Sequence, residues 1–125
     1  ALTLFQVLLG TQVRQYVYEQ IDLMKPADNW LSPAPLLFYI HRSYSIIVVL
    51  FQIYLLKKIK EQYQKLLQLQ VIVSVLTLIA VLSGIVMYYF DFPFSTQPIH
   101  LVIASALFGW QVFLWLKSYR IVKPT

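Results

Sequence analysis

Phe38-Tyr39-Ile40-His41-Arg42-Ser43-Tyr44-Ser45 opens an apolar run that closes at Leu56, just before Lys57, Lys58, Ile59 and Lys60. A histidine and an arginine side by side in such a run need an explanation. In lipid the arginine is costly and even a neutral imidazole wants partners, so an ionisable residue in a membrane helix points to function. His100, the second of the chain's 2 histidines, lies in Gln97-Pro98-Ile99-His100-Leu101, near the start of another long apolar run.

Residues 66–90 and 92–116 contain no Asp, Glu, Lys or Arg. Each stretch exceeds the roughly 20 residues that span a bilayer core. The 125 residues are 59% hydrophobic and only 12% charged, with a mean hydropathy of +0.67. A soluble globule needs about a quarter of its residues charged, so this surface must face something apolar. The sequence predicts an integral membrane protein. Its net charge of +5 is no footprint for nucleic acid, because the lysines cluster at the ends of apolar runs, where they set orientation. With no cysteine, disulfides, thiolate metal sites and redox thiols are excluded.

Four helices are expected, over about 1–18, 36–56, 66–90 and 97–116. The first is short for a span, about 27 Å even through Tyr18. The chain opens at Ala1 without an initiator methionine or a basic leader, and the natural start of this helix is expected upstream. Within it Gln6, Gly10 and Arg14 recur every four residues and share one face. Gly10 there lets a backbone or a flat ligand come close. Residues 19–35, with Glu19, Asp22, Lys25, Asp28 and three prolines, read as a polar connection in which Trp30 sits at headgroup level. Residues 57–65 read as a short basic loop, and 91–96 as a tight turn. Ser74, Thr77, Val81, Gly84 and Tyr88 form a stripe suited to helix contact. Phe108, Trp110, Phe113 and Trp115 read as lipid-facing and interfacial, and Ser43, Tyr44 and Ser45 as packing or backbone-bonding residues.

Lysine and arginine set the orientation. Lys57, Lys58, Lys60 and Lys65 follow the second helix and Lys117, Arg120 and Lys123 follow the fourth, whereas the other two connections carry Lys25 against Glu19, Asp22, Asp28 and Asp91. By the positive-inside rule the basic loop and the C-terminus are cytoplasmic. The expectation is an all-α, integral membrane, up-and-down four-helix bundle forming a single domain over 1–125.

In that topology the second and fourth helices run parallel from the outer face. His41 then lies about 8 Å and His100 about 4 Å below their helix starts, close to one depth. Alternate helices of such a bundle face each other across its axis, where cofactor sites are built. Two imidazoles at one depth fit the two axial positions of a haem iron, since a bare metal ion wants a third or fourth ligand. Arg14 and Arg42 lie in the outer part, where arginine can take the haem propionates. The plainer readings are hydrogen bonds between helices for the histidines, pairing of Arg42 with Glu19 or Asp22, and Arg14 reaching for the interface. No glycine-rich phosphate loop, no intramembrane Ser–His–Asp set and no intrahelical carboxylate suited to a proton path is present in the sequence.

Gln6-Val7-Leu8-Leu9-Gly10-Thr11-Gln12-Val13-Arg14, Phe38-Tyr39-Ile40-His41-Arg42 and Gln97-Pro98-Ile99-His100-Leu101 with Phe108-Gly109 together resemble the heme A synthase family. Its members are eight-helix membrane proteins of two similar halves, each with a histidine on its second and fourth helices. This sequence resembles the C-terminal half over nearly its whole length. The resemblance implies that His41 and His100 are axial ligands of a haem b near the outer face. It also implies a bacterial cytoplasmic membrane, with the mitochondrial inner membrane second, and partners in respiratory oxidase assembly, together with an N-terminal homologous half or a second copy. The other half holds heme O and carries a glutamate three residues before its first histidine; Phe38 stands at that position here. The cysteine pair found in many N-terminal halves is also missing, so the catalytic residues are unknown and both departures put the chain on the cofactor side. The implied function is support for oxidation of the heme O methyl to the formyl of heme A. A stand-alone membrane cytochrome b and a haem-free accessory subunit of a membrane complex are the alternatives.

Overall fold

The computed structural model describes residues 2–31, 34–92 and 95–122. Four helices account for most of them: α1 (Leu2–Asp22), α2 (Leu36–Gln62), α3 (Leu67–Tyr89) and α4 (Thr96–Val122). Ala27–Asn29 and Gln64–Leu66 form single 3-10 turns, and no strand occurs among the described residues. The segments Leu36–Gln62, Gln64–Tyr89 and Thr96–Ile121 are each long and apolar enough to cross a membrane. The outward apolar side chains are exposed along them, among them Ile46, Leu50, Leu78, Val102 and Trp115. This is the surface of a bundle that faces lipid, as the composition predicts.

Helix ends follow local chemistry more than hydropathy. α1 continues through Glu19 and Gln20 to Asp22, past its expected end near Tyr18. It closes in a Schellman motif: Met24 N–H donates to the Ile21 carbonyl (2.8 Å) and Lys25 N–H to that of Gln20 (3.2 Å), with Met24 left-handed at φ 55. Pro35, extended at φ −68 and ψ 152, leads into α2. α2 runs on through Lys57, Lys58, Lys60 and Glu61 to Gln62, because lysine, glutamate and glutamine favour helix. Most of the expected basic loop is therefore helical, and the turn proper is Tyr63 with the 3-10 residues that follow. α3 ends in a second Schellman bond, from Phe92 N–H to the Met87 carbonyl at 3.0 Å, with Asp91 left-handed at φ 51. Pro93 and Phe94 of the expected tight turn lie outside the described residues, as does Pro33 of the first connection.

α1 packs on α2, α2 on α3, and α3 most extensively on α4, whereas α1 and α4 meet over a small area. The α1–α2 and α3–α4 connections share one end of the bundle, where the Trp30 and Phe92 rings pack at 5.3 Å. Trp30 Nε1 donates to the Lys25 carbonyl (2.9 Å). Toward the other end, Gln70 Nε2 donates to Gln52 Oε1 at 2.8 Å, both side chains being buried. In an apolar surround such a bond fixes the rotation and sliding of one helix against its neighbour. Ser45, Ser74, Thr77, Ser105 and Ser118 each satisfy their hydroxyl on a carbonyl of their own helix.

Candidate functional site

Two helical hairpins face each other, α1–α2 and α3–α4, and each sets a glycine against a histidine. A Cβ on Gly10 would lie 3.1 Å from Cε1 of His41, and one on Gly84 would lie 3.7 Å from Cε1 of His100. Each imidazole thus rests against bare helix backbone of its own hairpin. The level of the two rings follows from the links between hairpins. Phe38 stacks on Tyr88 at 5.2 Å and Gln52 bonds Gln70, so stepping along α2 between these ties puts His41 level with Ser83 and Gly84. Ser83 Oγ lies 2.7 Å from His100 Nδ1, which puts His100 at that level too. Both histidines line one cavity of ≈ 270 Å³, close to the lower end of the range for small-molecule sites.

Gln6, Gly10 and Arg14 all line this cavity, as their shared face predicts. Gln6 Nε2 donates to the His41 carbonyl (3.1 Å) and lies 3.5 Å from His41 Nε2, at the outer limit of a hydrogen bond. Gln6 Oε1 and His41 Nδ1 are buried with no partner. Arg42, also on the cavity, lies over the Tyr88 ring at 5.8 Å. Arg14 donates to the Tyr18 hydroxyl through Nη2 (2.6 Å) and Nε (3.2 Å). Neither arginine pairs with a carboxylate among the described residues, so the expected alternative of Arg42 with Glu19 or Asp22 is not formed. Leu31, Tyr88 and Phe92 line the cavity at the end where the two connections lie.

The α3 stripe makes helix contacts, as its spacing suggested, with Gly84 against His100 and Tyr88 on Phe38, and it also lines the cavity. Thr77, Val81, Gly84 and Tyr88 line the cavity, and Ser74 bonds the Gln70 carbonyl. Ser83 and Gly84 are the site residues that sequence reasoning missed. Gly84 carried a signal, being one of only 3 glycines in the chain; Ser83 carried none until its partner was known. Among the aromatic residues of α4, Phe113 and Trp115 are exposed, whereas Trp110 is half-buried with its Nε1 out of solvent.

The donor set narrows what the cavity can hold. Among the described residues no three of His, Cys, Asp and Glu come together, so a bare ion would find too few ligands. A metal that brings its own equatorial nitrogens needs only two axial donors. Orphaned buried polar atoms on His41 and Gln6, bare backbone at Gly10 and two guanidiniums without a carboxylate partner among the described residues suit a flat, anionic, metal-bearing ligand.

The family model for COX15-CtaA, cytochrome oxidase assembly protein, matches residues 1–112. The chain belongs to this family. No curated protein and no solved structure gives a significant match. Membership in COX15-CtaA, the heme A synthase family, places this membrane protein in cytochrome oxidase assembly and heme A synthesis, and so in a pathway that handles haem.

Proposed function

We propose that this COX15-CtaA chain is the haem b-binding bundle of a heme A synthase, with His41 and His100 as axial ligands of one iron. The observation that carries the reading is the pair of imidazoles at one level, on separate hairpins, lining one cavity. Arg14 and Arg42 line the same cavity without carboxylate partners, and each can take a propionate through paired charge-assisted hydrogen bonds. Gly10 gives a flat macrocycle room beside His41. With imidazole on both axial positions, one-electron transfer is the chemistry a bound haem b supplies, with no open position for oxygen.

The chain's part in converting the heme O methyl to the heme A formyl is then electron transfer in support of a catalytic half. That half is either the other four helices of an eight-helix protein or a second copy. The membrane is the bacterial cytoplasmic one, with the basic ends of α2 and α4 inside.

Spectra of the haem-loaded protein test the ligation. The parent is expected to be six-coordinate and low-spin. His41→Ala and His100→Ala should each give a high-spin haem, an exogenously ligated haem, or loss of haem. A low-spin spectrum that survives unchanged in either variant overturns the assignment. Recovery of heme A from cells supplied with heme O then separates a synthase role from that of a stand-alone cytochrome b.

A further inference from the structure

Ser83 stands apart from the other serines that back-bond within this bundle. Ser45, Ser74, Ser105 and Ser118 each place their hydroxyl on a carbonyl of their own helix and make no other bond among those described. Ser83 does the same, to the Ala80 carbonyl at 2.8 Å, but its oxygen also lies 2.7 Å from Nδ1 of His100. One hydroxyl has one hydrogen. The Ala80 carbonyl can only accept, so the arrangement that satisfies both contacts gives that hydrogen to Ala80 and has His100 Nδ1–H donate to Oγ. Were the hydroxyl turned toward the ring, Oγ and the Ala80 oxygen would be two bare acceptors at 2.8 Å.

We propose that Ser83 is a positioning residue that presets His100 as a ligand through Nε2, by holding the proton on Nδ1 and relaying the bond to the Ala80 carbonyl. The proposal rests on the reading of His100 as an axial ligand. Fixing one ring nitrogen as a donor leaves the lone pair on the other, and the bond also sets the plane of the ring. His41 has no counterpart: its Nδ1 is buried without a partner, and Gln6 approaches Nε2 only at 3.5 Å. The two ligands are therefore inequivalent, His100 preset and His41 adaptable. A donated Nδ1–H also makes the imidazole a stronger electron donor, so losing the acceptor favours the reduced iron.

Two measurements test this. In the haem-free protein, isotope-edited nitrogen NMR should show His100 as the Nδ1–H tautomer, and Ser83→Ala should weaken that preference. In the haem-loaded protein, Ser83→Ala should weaken haem retention by about tenfold, the lower end of what outer-shell changes cost, and should raise the reduction potential. Ser83→Thr keeps the hydroxyl and should restore both, while Ser105→Ala, another back-bonding serine, should change neither. A parent His100 protonated on Nε2, a Ser83→Ala protein indistinguishable from Ser105→Ala, or losses that Ser83→Thr does not restore would each overturn the proposal. If instead His100→Ala keeps an intact low-spin haem, the ligand reading is what fails, whatever the tautomer.

Discussion

Gly10 and Gly84 stand in the same relation to the two histidines but at different range. A methyl on Gly84 would make ordinary van der Waals contact with His100, 3.7 Å away, whereas one on Gly10 would press on His41 at 3.1 Å and displace the ring by a few tenths of an ångström. Gly109, on α4, has nothing within 4 Å of such a methyl. Alanine is the better helix former by about 1 kcal/mol, so Gly109→Ala and Gly84→Ala should each stabilise the bundle by up to about that amount. Gly10→Ala should lose this gain and weaken haem binding about tenfold, the scale seen when a ligand's support is disturbed. Thermal unfolding in detergent and haem titration check the series; a Gly10→Ala protein that behaves like Gly109→Ala contradicts it. The cavity face of Gln6, Gly10 and Arg14 was legible in the sequence because four-residue spacing needs no knowledge of any other helix. Ser83 was not, since its partner is 17 residues on, on the next helix.

At the scale of the element, hydropathy marks where a chain lies in lipid, and propensity marks where it is helical. The two part at the C-terminal ends of α1, α2 and α4. α1 outlasts its apolar run through Glu19, Gln20 and Asp22, and α2 outlasts its own through residues 57–62, because backbone bonds continue wherever side chains permit them. What stops α1 is its left-handed residue. Met24 holds φ 55 although it is not glycine, a conformation that costs an L-residue about 1–2 kcal/mol. Its side chain is 93% exposed, so little packing is lost by removing it. Met24→Gly is expected to stabilise the protein by about 1 kcal/mol with no change in haem affinity. A drop in unfolding midpoint would show that the Met24 side chain holds something the apolar surround conceals.

For the whole molecule, the order of four helices and the sharing of one end by the α1–α2 and α3–α4 connections were legible from apolar runs and charge, since both are one-dimensional signals. The convergence of His41 and His100 on one cavity was expected from their matching depth on parallel helices; the cross-links Phe38–Tyr88 and Gln52–Gln70 that fix their level are revealed by no spacing along the chain. Orientation in the membrane is open to direct test. Asn29, in the connection that shares its end with the α3–α4 turn, and Gln62, at the far end of α2, are both exposed. A cysteine replacing Asn29 should react with an impermeant reagent from outside intact cells, and one replacing Gln62 only after permeabilisation; outside reactivity at Gln62 would invert the topology. The narrow contact between α1 and α4 has a thermodynamic corollary. On the proposed ligation, each hairpin contributes one of two grips on the same iron, so the ligand acts as a clasp across the weakest seam of the bundle. Folding and loading are then one linked equilibrium, in which free haem at a hundred times its dissociation constant adds about 2.7 kcal/mol to stability. Emptied of haem, the bundle should part first along α1, whose amides would exchange with solvent well before those of α3.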